Sequence, residues 1–177
     1  AADIYAKRIS EIFSKIVINT NTEKGDKLIP GLFSWMNAPA LGEDTGATPD
    51  RRTAGAPISH GANPKPGFRK DGAPTAMAEA VASVQPEYGN TAPLQLDIDT
   101  GTMEKDECTE IVTALIEAHF DKGGTMININ VMDKEKILEA YENPSKHKDL
   151  VVRVTGFSAY FSSLSEKHKE IVIDRIV

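Results

Sequence analysis

Gly156, in the run Arg153-Val154-Thr155-Gly156-Phe157, is the residue of this chain that could carry the most unusual chemistry. It follows a β-branched, apolar segment, where glycine usually only permits a turn with positive φ. Glycine is also the residue best suited to hold an unpaired electron on its α-carbon, because that carbon must become planar and a Cβ would crowd it. The sequence therefore allows two interpretations of Gly156, a backbone turn or the site of a carbon radical.

The neighbours of Gly156 suit the radical interpretation. A stored radical must be kept from water, oxygen and stray hydrogen donors, and Val152, Val154, Phe157 and Phe161 supply apolar side chains around it. A loop that follows a strand near a chain terminus can also swing out to the agent that creates the radical and then return. These features are compatible with a radical in the loop over 150–161, but taken alone they favour the ordinary role of such a glycine, a turn with positive φ.

The other polar clusters give weaker indications. Asp97 and Asp99 match a calcium-binding loop only in part, because the full pattern of acidic ligands is incomplete. Asp50, Arg51 and Arg52 could bind an anion, although a solvated turn is the more ordinary interpretation. The four histidines lack metal-ligand spacing, so we expect hydrogen bonding or solvent exposure for each of them: His60, His119, His147 and His168.

Composition excludes several classes of protein. The chain has 177 residues, 40% of them hydrophobic, which suits one domain with a core. Its net charge of −6 and the absence of a basic face argue against nucleic acid and against an anionic membrane surface as partners. No apolar run approaches the roughly 20 residues of a membrane span.

Periodicity predicts an α/β architecture for a single domain over 1–177. Helices are predicted over 3–18, 74–84, 104–122, 134–141 and 165–176, and strands over 92–98, 125–131 and 150–154. Asp133 and Ser165 are good N-caps, and Met132 is placed to contact Ile137 across the start of its helix. Gly123-Gly124 ends the long central helix. Lys167, His168 and Lys169 are expected on the solvent-facing side of the last helix.

Residues 19–75 have a different composition from the rest. They contain many of the Gly and Pro residues of the chain, which oppose both helices and long strands. Apolar residues recur through the segment: Leu32, Phe33, Trp35, Met36, Leu41, Ile58 and Phe68. We therefore expect an ordered loop region packed against something larger, followed by strands and helices over 76–177. A low-complexity linker is the alternative.

The five-residue run around Gly156 resembles the Arg-Val-small-Gly-aromatic signature of glycyl radical enzymes, the family of pyruvate formate-lyase and the radical diol dehydratases. Upstream, that family carries a Gly-Gly pair, a strand rich in Asn and apolar residues, and an Asn-Pro helix end. These are similar to Gly123-Gly124, to residues 126–131 and to Asn143-Pro144. The ordered set is far more specific than the loop alone.

A second region carries the same resemblance. Residues 46–50, Gly-Ala-Thr-Pro-Asp, are similar to the family's Gly-x-Thr-Pro-Asp-Gly-Arg loop, and residues 61–64, Gly-Ala-Asn-Pro, are similar to its continuation in pyruvate formate-lyase. The chain departs from the pattern at Arg51, where the family has glycine. The geometry of that turn therefore stays open.

The resemblance implies a two-site radical relay. Gly156 would store the radical and pass it to a cysteine thiol, whose thiyl radical attacks a small-molecule substrate. A separate radical S-adenosylmethionine activating enzyme with an iron–sulfur cluster would install the radical, recognising Arg153, Val154, Thr155 and Phe157. No cofactor or metal would need to stay bound. The implied fold is the C-terminal portion of a ten-stranded α/β barrel, which this chain could not close alone.

The reactive cysteine is expected outside this chain. Cys108 is the only cysteine, and with Glu110 it imitates the family's Cys-x-Glu pattern. It lies on the apolar stripe of a predicted helix, however, whereas the family presents its cysteine on a hairpin loop. A free cysteine on such a stripe commonly packs as a small hydrophobic residue. We therefore expect an obligate partner, either a larger chain in a split enzyme or an N-terminal part of the same polypeptide.

Several functions stay open. The first is the radical-bearing component of an anaerobic, cytoplasmic and oxygen-sensitive lyase or dehydratase. The second is acyl transfer from pyruvate to coenzyme A, as in pyruvate formate-lyase. A third is a non-catalytic spare part that replaces an oxygen-damaged radical domain. The last is a plain binding domain in which Gly156 only turns the chain.

Overall fold

The structure is a computed structural model that describes residues 2–49, 51–65, 73–85, 92–99, 104–154 and 156–176. In these ranges the helices are α1 (Ala2–Ile18), α2 (Ala38–Glu43), α3 (Ala73–Ser83), α4 (Lys105–Asp121), α5 (Lys134–Glu142) and α6 (Glu166–Ile176). The strands are β1 (Leu94–Asp99), β2 (Ile127–Met132), β3 (Val151–Arg153) and β4 (Ser158–Tyr160). Every predicted helix and strand is present, with ends shifted by a few residues, so the α/β prediction is confirmed for this part of the chain.

The first unit joins two parallel strands through a helix. β1 pairs with β2 in parallel register from Leu94 opposite Ile127 to Asp99 opposite Met132, and α4 connects them. β1 is buried at most positions instead of at alternate ones, because parallel strands are usually covered on both faces. One hydrophobic cluster fills this unit, contributed by α3, α4 and β1: Ala78, Val81, Leu94, Leu96, Ile98 and Leu115.

The second unit is an antiparallel hairpin packed between two helices. β3 pairs with β4, with Arg153 opposite Ser158, and its core cluster holds Met132, Ile137, Ala140, Val152, Val154, Phe161 and Val172. The predicted contact partners Met132 and Ile137 both belong to this cluster. The Asp133 carboxylate accepts from the backbone N–H of Lys136 at 3.0 Å, so the predicted N-cap of α5 is confirmed.

The Gly/Pro-rich segment contains a short helix that its composition did not predict. Pro39 lies in the first turn of α2, where its missing N–H costs no hydrogen bond. At the other end of α2, Gly42 packs so closely that a Cβ there would lie 2.1 Å from the Ala56 carbonyl oxygen. The segment is therefore ordered around its own backbone contacts. Phe68 of the predicted apolar set lies outside the described residues.

Two helix faces differ from the usual arrangement, and for one of them, on α6, the sequence prediction is wrong. The isoleucine stripe of α1 faces outward, and the buried side of that helix carries Ser10 and Ser14. The Ser10 hydroxyl donates to the Val84 carbonyl at 2.6 Å, so a polar contact anchors α1 to the end of α3. On α6, Lys169 is buried instead of solvated and contacts Glu166 at 2.7 Å. Among the described residues, no helix is long and apolar enough to cross a membrane.

Candidate radical site

Gly156 lies at the tip of the β3–β4 hairpin. The backbone N–H of Val154 donates to the Phe157 carbonyl at 2.9 Å, which leaves only residues 155 and 156 to turn the chain. Gly156 has a φ of +76°, a conformation that L side chains rarely adopt. The turn requirement and the radical requirement thus fall on the same glycine. Thr155 lies outside the described residues.

The apolar side chains around the hairpin cover its strands and not the glycine itself. Val152, Val154 and Phe161 are almost completely buried in the core cluster, and Phe157 packs against it. Gly156 is exposed in the described part of the chain. The expectation that these four residues wrap the α-carbon is therefore wrong as stated: they fix the stem of the hairpin and leave its tip uncovered.

The last helix holds the hairpin by its backbone. Arg175 of α6 donates through Nη1 to the Val154 carbonyl at 2.5 Å and through Nη2 to the Arg153 carbonyl at 2.8 Å. These carbonyls lie two and three residues before Gly156. Hydrogen bonds from a charged guanidinium to two adjacent carbonyls are strong and directional. Arg175 therefore fixes the strand that leads into the glycine loop.

A buried carboxylate orients this arginine. Arg175 Nε lies 2.7 Å from Asp97 Oδ2 of β1, with both side chains less than a tenth exposed. Asn130 of β2 donates to Asp97 Oδ1 at 2.9 Å. Burial raises the pKa of Asp97, while Arg175 and the Asn130 hydrogen bond oppose that rise. Asp97 thus connects the parallel strands, through Arg175, to the hairpin. Its carboxylate contacts Arg175 and Asn130, which is a structural role and not that of a calcium ligand.

His60 completes this buried polar network. Its Nδ1 lies 3.3 Å from Arg175 Nη1. Burial first, then the charge of Arg175 and that of His168, lower the pKa of His60 to about 3. His60 is therefore neutral at physiological pH and accepts from the guanidinium, so the expected ordinary hydrogen bonding is found for this histidine.

The remaining predicted loop residues have modest contacts. The Arg153 side chain is half-buried, and its Nη1 lies 3.4 Å from the Ser158 hydroxyl on the opposite strand. That leaves part of the guanidinium available to another protein. Recognition of Arg153 by an activating enzyme stays a prediction. The same holds for the roles of Val154, Thr155 and Phe157 in that recognition.

The Thr-Pro-Asp loop keeps its turn despite the missing glycine. Arg51 has a φ of +71°, in the left-handed region, and is the non-glycine residue with positive φ in the described ranges. Arg52 is buried, and its guanidinium donates to the carbonyls of Ala56, Thr45 and Gly46. The interpretation of Arg52 as part of a solvated turn is therefore wrong: it holds the loop together from inside. Asp50 lies outside the described residues.

Cys108 lies on α4, as predicted, and packs against the cluster around β1. That is a different hydrophobic cluster from the one under the radical loop. His119, on the same helix, is fully buried and contacts the Met126 carbonyl at 3.3 Å. Within the described ranges, no group of three or more His, Cys, Asp or Glu residues is placed to hold a metal ion.

Trp35 and Arg175 are the site residues that sequence reasoning missed. A Cβ on Gly156 would lie 3.3 Å from Trp35 Cδ2 and Cε3. Trp35 is the only tryptophan of the chain and precedes Thr48 of the Thr-Pro-Asp loop by 13 residues. Its rarity and this position were the sequence features that could have marked it as a site residue. Asp97 is an acid inside a largely apolar strand, and this indicates a buried cationic partner even before the partner is known.

Comparison with known proteins agrees with this geometry. The family model described as "Glycine radical" matches residues 58–162. Formate acetyltransferase 1 of Escherichia coli (strain K12) is 34% identical over an alignment of 181 positions, gaps included, that covers 98% of this chain and 24% of that protein. Trans-4-hydroxy-L-proline dehydratase of Clostridioides difficile is 33% identical over 135 residues, 76% of this chain and 17% of that protein.

Solved structures give the same result. Hydroxyproline dehydratase (HypD) from Clostridioides difficile, with its substrate trans-4-hydroxy-L-proline bound, superposes with a TM-score of 0.87 at 29% identity, over 98% of this chain and 22% of that one. The glycerol-bound B12-independent glycerol dehydratase from Clostridium butyricum gives 0.81 at 32% identity, over 93% and 21%. The chain belongs to the glycyl radical enzyme family, and it spans about a quarter or less of the length of these relatives.

Proposed function

We propose that this chain is the radical-bearing part of an anaerobic glycyl radical lyase or dehydratase, and that Gly156 stores the radical. The observation that carries the proposal is the geometry of the hairpin tip. Gly156 is held at positive φ in a two-residue turn, on strands fixed by Arg175 and a buried core. The family match over residues 58–162 supports the same assignment.

The thiyl radical that attacks the substrate would form on a cysteine outside this chain. Cys108 packs against a different cluster from the one beneath Gly156, so it is poorly placed to exchange a hydrogen atom with the glycine. The exposure of Gly156 supports the same conclusion, because a stored radical needs a covered site. A larger chain or an N-terminal part of the same polypeptide would supply the reactive cysteine. It would also cover Gly156, by forming the rest of a barrel that this chain completes.

A separate radical S-adenosylmethionine enzyme with an iron–sulfur cluster would install the radical. It would recognise the hairpin through Arg153, Val154, Thr155 and Phe157. Of these, Arg153 and Phe157 are partly exposed on either side of the glycine, whereas Val154 is buried and shapes the strand from inside. The substrate would be a small molecule bound mainly by the rest of the polypeptide. Storage of an oxygen-sensitive radical fits a reducing, anaerobic cytoplasm.

Electron paramagnetic resonance tests the proposal on the complete polypeptide, or on the chain with its cysteine-bearing partner. Anaerobic activation should give a doublet, because the remaining α-hydrogen splits the signal of a glycyl radical. Incorporation of α-deuterated glycine should collapse that splitting. Gly156→Ala should abolish the signal.

Gly123→Ala is the matched control for this experiment. Gly123 also has a positive φ, +93°, and a Cβ there meets no atom within 4 Å. Its substitution strains a helix end without touching the hairpin, so the doublet should persist. A doublet that survives in Gly156→Ala, or no signal with an activating enzyme that works on a related substrate protein, would contradict the proposal.

Acyl transfer from pyruvate to coenzyme A is the second candidate. It is favoured by the 34% identity to formate acetyltransferase 1 across 98% of this chain. A dehydratase is nearly as similar in sequence, at 33% identity over 76% of this chain, and dehydratases also match in fold, so similarity to this chain does not separate the two reactions. Assays of activated complete enzyme with pyruvate and coenzyme A, and with small diols or hydroxyproline, would separate them. A spare-part role would require the chain to restore activity to an oxygen-cleaved enzyme.

A further inference from the structure

The indole of Trp35 lies directly against Gly156. In the described structure, the three atoms closest to a Cβ on Gly156 all belong to Trp35: Cδ2 and Cε3 at 3.3 Å and Cε2 at 3.6 Å. In glycine a hydrogen occupies this direction on a shorter bond. The indole therefore faces one of the two α-hydrogens of Gly156 and leaves no room on that side for another group to approach.

The backbone on both sides of Trp35 is anchored. Ser34 and Gly61 exchange two backbone hydrogen bonds, at 3.2 and 2.9 Å. The Met36 carbonyl lies 3.2 Å from His168 Nε2 of α6. Residues before and after Trp35 are thus tied to the body of the protein, so the backbone that carries the indole is held beside the hairpin tip.

The indole itself is placed as a cover and not as a core side chain. It is 43% exposed, and within the described ranges its aromatic neighbour is Phe33, at 5.4 Å between ring centroids and tilted by 47°. A side chain in this position can rotate outward without opening the hydrophobic core. The backbone anchors would return it to the same place.

We propose that Trp35 shields the α-carbon of Gly156 on the side where an L side chain would project. This inference rests on the proposed radical at Gly156. The indole excludes oxygen from one of the two faces of the planar radical carbon. The same contact blocks abstraction of the α-hydrogen on that side, so the activating enzyme would remove the other α-hydrogen as long as Trp35 stays in place.

The test is the lifetime of the radical in oxygen. The complete polypeptide, or the chain with its cysteine-bearing partner, is activated anaerobically and mixed with a fixed amount of dissolved oxygen, and the doublet is followed with time. Trp35→Ala should lose its signal about twofold faster or more, because one of two faces is newly open to oxygen. The decay rate of Trp35→Phe, which keeps a smaller ring, should lie between those of wild type and Trp35→Ala.

Phe33→Ala is the matched control, because it removes an exposed aromatic ring that touches Trp35 and not Gly156. Its decay rate should equal that of wild type. The initial amplitude and splitting of the doublet report the fold of the loop independently of the decay. Equal decay in wild type, Trp35→Ala and Phe33→Ala would overturn the shielding role. Absence of a doublet in the wild type would instead overturn the proposed function.

Discussion

Arg51 accepts an unfavourable backbone conformation in the loop where the family resemblance led us to expect glycine. Its φ of +71° is in the left-handed region, and its backbone N–H still donates to the Thr48 carbonyl at 3.0 Å. The buried Arg52 side chain explains how the turn survives. Its guanidinium donates to carbonyls on both arms of the loop, so the loop geometry is imposed from inside and Arg51 conforms to it.

Arg51→Gly should therefore stabilise this loop. Glycine adopts positive φ without steric cost, and the gain should be roughly 0.5–1 kcal/mol after allowing for the greater freedom of the unfolded chain. Hydrogen exchange followed by mass spectrometry should slow over residues 48–56. Arg51→Ala is the control: it removes the long side chain but keeps the Cβ in the strained region. Equal exchange in the glycine and alanine variants would show that strain at Arg51 is not what limits the loop.

At the same scale, the sequence pointed to the family and to Gly156 as its candidate residue, but not to the surroundings of that glycine. A signature of local residues is readable from the chain, and the match to the family was correct. Trp35 lies 121 residues away in sequence, and its contact depends on how two loops meet. No periodic pattern carries that information, so only its rarity and its place before a recognised loop pointed to it.

At the scale of elements, the central feature is the connection from α6 through Arg175 to Asp97 on β1. One guanidinium bridges the last helix, the parallel strands and the two carbonyls before the radical loop. Breaking a buried ion pair by removing one partner typically costs about 3–5 kcal/mol, because the other charge stays buried and unpaired. The ion pair between Arg175 and Asp97 therefore contributes to stability, whereas the hydrogen bonds from Arg175 to the two carbonyls fix the position of the hairpin. Mutations can separate the two effects.

Arg175→Met tests this separation, since methionine fills the space without making hydrogen bonds. The single variant should unfold more easily, by about 3–5 kcal/mol, and its amides over 151–160 should exchange faster. The double variant Arg175→Met with Asp97→Asn should regain much of the stability, because no charge is left buried. Exchange over 151–160 should stay fast, because the two carbonyls still lack their donor.

Lys167→Met is the control on the same helix. Lys167 contacts Glu43 at the surface, and an exposed pair of this kind contributes about 1 kcal/mol or less. It should change neither the stability nor the exchange of the hairpin appreciably. If the double variant restored the protection of 151–160, the role of Arg175 in holding the loop carbonyls would be refuted.

Helices and strands were predictable where periodicity and caps are local, as at α5 with its Asp133 cap. Two element-scale features were not predictable. α2 was missed because the Gly and Pro content of residues 19–75 was taken to oppose helices, although the first turn of a helix tolerates proline, as at Pro39. The orientation of α1 could not be predicted because an apolar stripe shows that a helix is amphipathic, and not whether that stripe faces the nearest core. In the described structure Ser10 and Ser14 face it instead.

At the scale of the whole molecule, the chain exposes more surface than a self-contained domain. Its accessible area is 11065 Å², whereas a folded monomer of this mass exposes about 8,400 Å². Large apolar side chains account for much of the outer face of α1: Ile4, Tyr5, Ile9, Ile12, Phe13 and Ile16. A monomeric soluble protein rarely exposes a contiguous patch of this kind. This outer face of α1 is therefore expected to be buried by the rest of the enzyme.

Ile9→Glu combined with Ile16→Glu tests that expectation, because both residues are more than 60% exposed in this chain. If the rest of the enzyme buries them, each substitution loses about 1.5–3 kcal/mol of hydrophobic burial and adds the cost of an unpaired carboxylate. The complete enzyme should then melt at lower temperature, or the two chains should bind more weakly. The isolated chain should instead become more soluble and bind less of a hydrophobic dye.

Val131→Glu provides the matched control, since Val131 is 61% exposed but lies on β2, away from α1. It should be less damaging to the complete enzyme than the α1 pair if α1 is the principal contact. The isolated wild-type chain should also unfold over a broad range, because much of its apolar surface lacks a partner. A sharp cooperative transition of a monomeric isolated chain, together with no effect of the α1 pair on the complete enzyme, would show that this chain is a self-sufficient domain.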